Sequence, residues 1–207
     1  MKVIIVDLEM NAIKGCLNEI IQIGAVRLNE SHDIVDEFVT YVKPVMHDIV
    51  PKTTRITGIV QEQVEHAPLL RDALLAYVMW AGEEYDVMYS WSTSDIDAIQ
   101  NECGVKGIDE APFRYMYEHW GDYQREFSEL LGYNKPLKLP TALNALDMNL
   151  QGAQHDGLQD ARNTAFLYKA AHDPKQAHFI QSLRDVLVPS EECTTNLGTL
   201  LSGKFTE

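Results

Sequence analysis

The reading of this chain turns on Val3-Ile4-Ile5-Val6-Asp7-Leu8-Glu9, close to its start. Four apolar residues, all β-branched, in so short a run read as a buried central strand. Two acids follow at its carboxyl end. Side chains alternate along a strand, so Asp7 and Glu9 face the same side, about 7 Å apart along the chain. Two ionised carboxyls brought to about 4 Å repel by about 4 kcal/mol at an effective dielectric near 20. Either one keeps its proton or a cation lies between them. The pair is therefore the seed of a metal site.

Working outward, residues 19–28 and 34–43 read as two more strands, both rich in β-branched residues, with Pro44 ending the second. Together the three make a meander. Residues 51–58 read as a helical turn closed by Gly58. Leu70, Leu74, Tyr77 and Val78 mark an amphipathic helix over 69–82. A short apolar strand is expected at 87–91. A helix is expected over 93–103, with Thr93 or Ser94 as its cap and Gly104 as its stop. Alternating aromatics in 113–122 favour a strand, and helices are expected over 122–131, 141–150, 157–171 and 175–187. Strands first, then alternation, then helices predict an α/β fold, a mixed central sheet covered by helices. No internal repeat or low-complexity stretch stands out. Residues 189–207 hold Ser, Thr and Gly with few apolar anchors and read as a tail or extension beyond a domain of residues 1–188.

The 207 residues suffice for one domain with a substantial core. The chain is 45% hydrophobic and 23% charged, and carries 31 acids against 17 Lys and Arg, a net charge of −14. That balance argues against broad gripping of duplex DNA, which needs many phosphate-neutralising cations. It leaves open a nucleic acid held at one small site. Two divalent cations would bring −14 to −10. Cys16, Cys103 and Cys193 are odd in number and widely spaced, which predicts free thiols in a reducing compartment. The N-terminal apolar run is too short for a signal-peptide core, and no segment approaches 18 apolar residues in a row. The expectation is a cytoplasmic protein with no membrane contact.

Two further segments carry chemistry. Ser90-Trp91-Ser92-Thr93-Ser94-Asp95 joins an apolar strand to the start of a helix. An acid there is favoured by the helix dipole alone. Asp97 competes with it, but Ile96, Ile99 and Cys103 define the buried stripe, Asp95 flanks that stripe, and Asp97 falls on the Gln100/Asn101 side. Asp95 is the better candidate. The second segment is His155-Asp156-Gly157-Leu158-Gln159-Asp160-Ala161-Arg162-Asn163. Asp156 is the expected N-cap of a helix, which puts His155 on the loop before it and Asp160 one turn inside. Alone, His155 reads as a surface histidine and Asp160 as a helix charge paired with Arg162 or solvent.

In combination, Asp7-x-Glu9, then Asp95 after a strand and Trp91, then His155-x4-Asp160-Ala161-Arg162-Asn163 resembles the DnaQ-like, DEDDh-type 3′–5′ exonucleases. Ile56-Thr57-Gly58-Ile59 resembles a segment that follows the third strand in that superfamily. The look is nearest to the branch that trims the 3′ ends of small and ribosomal RNAs. The resemblance runs from about Lys2 to about Ala171. Met10-Asn11 departs from the Thr-Thr or Ala-Thr common after the Glu. The resemblance implies a ribonuclease-H-like fold, with residues 1–188 as the exonuclease domain. It implies Asp7, Glu9, Asp95 and Asp160 as ligands of two ions and His155 as general base. Four carboxyls without cysteine form an all-oxygen site suited to Mg²⁺ or Mn²⁺. Two such ions stabilise the attacking and leaving oxygens of an in-line phosphoryl displacement. The implied substrate is a single-stranded 3′ end, RNA favoured over DNA, released as nucleoside 5′-monophosphates. Met10 and Ile59 are the implied contacts to its terminal sugar and base.

Two other readings use the same residues: a non-catalytic nucleic-acid or protein-binding module, and a phosphodiesterase of dinucleotides or small phosphoesters. A protein partner docking through Trp80, Trp120 or residues 189–207 is a further expectation.

Overall fold

The computed structural model describes residues 2–187. The β-branched run opens β1 (Val3–Asn11), and β2 (Glu19–Leu28) and β3 (Ile34–Tyr41) follow as an antiparallel meander. Three helices, α1 (Pro51–Thr57), α2 (Gln61–Val64) and α3 (Leu70–Ala81), lead to β4 (Val87–Ser90), which pairs parallel to β1. Then come α4 (Ser94–Lys106), α5 (Pro112–Glu118) and β5 (Trp120–Asp122), parallel to β4. The helices α6 (Tyr123–Leu130), α7 (Leu139–Ala145), α8 (Gly157–His172) and α9 (Ala177–Leu187) complete the described chain. The sheet order is β3-β2-β1-β4-β5, so β1 lies at its centre. This is the α/β fold expected, a mixed sheet covered by helices.

A central strand covered on both faces carries apolar residues at successive positions rather than in alternation. In β1 the two parities separate cleanly. Ile4, Val6 and Leu8 pack with Leu74 and Tyr77 of α3 and Ile99 of α4. Val3 and Ile5 pack on the opposite face with Phe127 of α6, Leu143 of α7 and Ala165 of α8. Asp7 and Glu9 share the parity of Val3 and Ile5. Their carboxyls therefore leave the sheet on the α8 side, as the two-residue period of a strand requires.

A buried ion-pair network ties α4 to β2. Lys106 Nζ lies 3.1 Å from Glu19 Oε1 and 2.5 Å from Glu102 Oε1, with both glutamate side chains 1% exposed. Glu102 also accepts the Ile20 N–H, and Glu19 accepts the N–H groups of Val45, Met46 and His47. Every carboxylate oxygen in the network is thus satisfied, as burial of charge demands.

Several boundaries differ from expectation. Residues 113–122 are not one strand. Pro112 starts a helix, with Phe113 and Met116 buried at helical spacing, and only Trp120–Asp122 pair with β4. Proline at the first helical position is a start signal that outweighs alternating aromatics. Helix α4 runs through Gly104 to Gly107, whose φ of 64° makes the left-handed stop. Helix α7 begins and ends earlier than 141–150, with Pro140 in its first turn.

Trp80 and Trp120 are half-buried rather than free: Trp80 Nε1 donates to Asp36 and Trp120 Nε1 to Ser90. Cys16 and Cys103 are free thiols. Cys193, the expected boundary after 188 and the segment 189–207 lie outside the described residues. Among the described residues, no helix is long and apolar enough to cross a membrane.

Candidate active site

Three separate segments meet at the carboxyl end of β1. The first is β1 itself, which presents Asp7 and Glu9. The second is the start of α4. Strand β4 pairs with β1 only as far as Ile5 and Tyr89, and then the chain turns through Trp91 into the helix. There Asp95 Oδ1 accepts the Leu8 N–H at 3.0 Å. A backbone donor that β4 no longer reaches thus anchors the acid. Asp97 is exposed, so the buried stripe of α4 separates the two candidates as its periodicity predicted.

The third segment is the entry to α8. Asp156 caps the helix by accepting the Gln159 N–H at 3.0 Å. Gly157 donates its N–H to Gln22 Oε1 at 2.8 Å, and a Cβ on Gly157 would stand 2.9 Å from the Asp7 carbonyl oxygen. Helix α8 therefore starts hard against β1 and β2. One turn in, Asp160 Oδ2 accepts the His155 N–H at 2.9 Å, while His155 holds a left-handed φ of 62°. Asn163 bonds both the N–H and the carbonyl of Gln151, which pins the loop leading to His155. Arg162 does not pair with Asp160; it bonds Glu37 instead, with Nε to Oε1 at 2.7 Å.

Asp7, Glu9, Asp95, His155 and Asp160 all line one cleft of about 560 Å³. Ligand atoms of Glu9, His155 and Asp160 lie within 4.8 Å of one another. The electrostatics are those of crowded, buried carboxyls. Burial, followed by the charges of Asp95, Glu9 and Asp160, holds the Asp7 pKa well above the carboxylate range. Burial and then Asp160 and Asp95 push Glu9 up to about 8. Burial pushes Asp95 up to about 7 against the opposing Leu8 N–H, and it raises Asp160 against the His155 N–H. Asp160 Oδ1 is buried without a hydrogen-bond partner. A buried acceptor left unpaired costs about 1–3 kcal/mol. A divalent cation would satisfy that oxygen and remove the mutual repulsion, so these residues fit a metal of oxygen-ligand preference.

Met10 lines the cleft, but Ile59 does not. Ile59 is 3% exposed and packs with Ile21 and Val64 in a small separate cluster. Helix α1 ends at Thr57, and the left-handed Gly58 turns the chain inward after it. Ile56 and Thr57 of α1 face the cleft in its place. Sequence reading also passed over Lys52, Lys138 and Gln22. A glycine inside the apolar β2 run, Gly24, was the available signal of a close backbone approach there.

The sequence profile of the exonuclease family RNase_T matches residues 4–168. The chain belongs to this exonuclease family. The matched span takes in every one of the five cleft groups. Among its relatives, the chain is 30% identical over 208 residues to ERI1 exoribonuclease 2 of Mus musculus, covering 87% of this chain and 30% of that protein. It is 33% identical over 175 residues to ERI1 exoribonuclease 2 of Danio rerio, covering 72% and 30%. The chain thus spans less than a third of the length of these curated relatives. Its fold superposes with a TM-score of 0.71 and 26% identity on the nuclease domain of 3′hExo, a DEDDh family member, bound to rAMP. That match covers 81% of this chain and 90% of the other.

Proposed function

We propose that this chain is a metal-dependent 3′–5′ exonuclease that hydrolyses single-stranded nucleic acid, RNA favoured over DNA, to nucleoside 5′-monophosphates. The observation that carries the reading is the meeting of four carboxyls and one histidine, from three distant segments, around the unpaired Asp160 Oδ1. Membership of the exonuclease family, and the exoribonuclease names of its relatives, support the same reaction class.

Asp7, Glu9, Asp95 and Asp160 would hold two Mg²⁺ or Mn²⁺ ions. When bound, the ions supply charge to the scissile phosphate and to the attacking and leaving oxygens. His155, at the exposed mouth of the cleft, takes the proton of the attacking water as general base. The water oxygen bonds to phosphorus and the bond from phosphorus to O3′ breaks. The shortened strand keeps a 3′-hydroxyl, and a nucleoside 5′-monophosphate leaves. Met10 and Ile56 offer apolar surface to the terminal nucleotide, and such packing tolerates any base.

The test is incubation with 5′-labelled single-stranded RNA and DNA oligomers in Mg²⁺, Mn²⁺ or chelator. A metal-dependent ladder shortening from the 3′ end is expected, faster on RNA. Products ending in 3′-phosphate, or wild-type turnover by Asp7→Ala, overturn the reading.

A further inference from the structure

We propose that Lys52 and Lys138 form a phosphate-binding pair that grips the strand upstream of the bond being cut. With one phosphate for each lysine, the recognised unit is then a single-stranded segment of at least four nucleotides, not the terminal linkage alone. This rests on the exonuclease reading and extends it to residues no catalytic step requires.

The cleft has an acidic floor made by Asp7, Glu9, Asp95 and Asp160, and the chain as a whole carries −14. A polyanion approaching such a surface is repelled until cations intervene. Ions held by these carboxyls would serve the phosphate being cut; the next phosphate upstream needs a cation of its own. Among the described residues, Lys52 and Lys138 are the only Lys or Arg side chains that line the cleft. They come from different walls, Lys52 from α1 and Lys138 from the residue before α7.

Both side chains are exposed, and neither makes a hydrogen bond or an ion pair among the described residues. Among the described residues, ion pairs occupy seven other Lys and Arg side chains, at Lys2, Arg27, Arg71 and Lys106 and at Arg125, Arg162 and Lys169, while Lys14, Lys43, Arg55, Arg114, Lys135, Lys175 and Arg184 are also unpaired but line no part of the cleft. What sets Lys52 and Lys138 apart is therefore their place, two unpaired cations on the lining of an acidic cleft. Neither lysine helps its helix, because a cation at the amino end opposes the dipole and neither first turn holds an acid. Apolar Ile56 lies one turn after Lys52, and Leu139 and Pro140 follow Lys138. Exposed cations and apolar side chains thus line the cleft together, a combination suited to phosphates and to sugars or bases.

The experiment is steady-state hydrolysis of an RNA hexamer and of a dinucleotide, which has no phosphate upstream of the scissile one, across salt concentrations. Each phosphate neutralised on a single strand contributes about −0.7 to the slope of log affinity against log salt. For the hexamer, two lysines add a slope of about −1.4, or about a 7-fold loss of kcat/KM between roughly 50 and 200 mM salt. Lys52→Ala and Lys138→Ala should each make that slope shallower by about 0.7, through KM rather than kcat, and the double variant by about 1.4. The preference of the wild type for hexamer over dinucleotide should shrink in parallel, and Lys138→Arg should restore it. Lys175→Ala removes the same charge far from the cleft and should keep the wild-type slope. An unchanged slope in the double variant, or an equal change in Lys175→Ala, overturns the pair. If the wild type hydrolyses no oligomer, the exonuclease reading fails. The pair is then judged by fluorescence anisotropy of a labelled hexamer in Ca²⁺, where equal binding by wild type and double variant overturns it.

Discussion

Gly24 of β2 lies against the peptide joining Gly157 to Leu158, so close that a Cβ on Gly24 would stand 2.6 Å from Leu158 Cα and nearer still to its nitrogen. Two segments more than 130 residues apart touch backbone to backbone. That contact places the first turn of α8 over the end of β1, and with it Asp160 and His155 beside Asp7 and Glu9. Gly24→Ala should push α8 away, because the opposing atoms are backbone and cannot rotate aside. Overpacking of this kind costs about 1–3 kcal/mol, occasionally more. Chemical denaturation should show the loss and the nuclease assay a matching drop in kcat; wild-type behaviour in both would refute the account of the contact.

The raised carboxyls make the metal-free protein sensitive to pH. Their folded pKa values, about 7 for Asp95 and about 8 for Glu9, exceed ordinary unfolded ones. The folded state therefore binds more protons than the unfolded state across the interval, and stability falls as pH rises through it. In chelator, unfolding free energy should decline from about pH 5 to about pH 8 and then level. Saturating Mg²⁺ should flatten the decline, since the cation replaces the protons. Equal slopes with and without Mg²⁺ would count against a cation at these groups.

Asp7→Asn separates stability from activity. Relief of repulsion among Asp7, Asp95, Glu9 and Asp160 should raise the melting temperature in chelator while hydrolysis is abolished. A lower melting temperature would mean that Asp7 stabilises the fold.

His155→Ala should lower kcat by about 10²–10⁴, the usual worth of a positioned general base. The carboxyls remain, so Mn²⁺ binding by calorimetry should persist. Turnover equal to wild type would remove the base assignment.

Lys106→Ala leaves Glu19 and Glu102 buried without their cation. Breaking a buried pair from one side costs about 3–5 kcal/mol. Because α4 carries Asp95 at its other end, activity should fall with stability. A denaturation midpoint like that of the wild type would show that solvent reaches the two glutamates.

The central strand, the meander and the candidacy of Asp7, Glu9 and Asp95 are legible in the linear chain. Each rests on a local rule: a β-branched run, a two-residue period that puts Asp7 beside Glu9, a helix stripe that sorts Asp95 from Asp97. His155 and Asp160 have no such rule behind them; they are candidates only through the order and spacing that resemble the exonuclease superfamily. Local rules fail where two of them compete. At 112–118 the proline start signal overrode aromatic alternation. Ile59, a contact implied by the family resemblance alone, lies in the core, because the left-handed Gly58 turns the chain inward and leaves Ile56 on the cleft. Other features belong to no single segment. The closeness of Gly24 to Leu158, the bond from Leu8 to Asp95 and the unpaired state of Lys52 and Lys138 arise from distances between remote parts of the backbone. Such distances follow from packing two faces of one sheet at once, and no period or spacing along the chain encodes them.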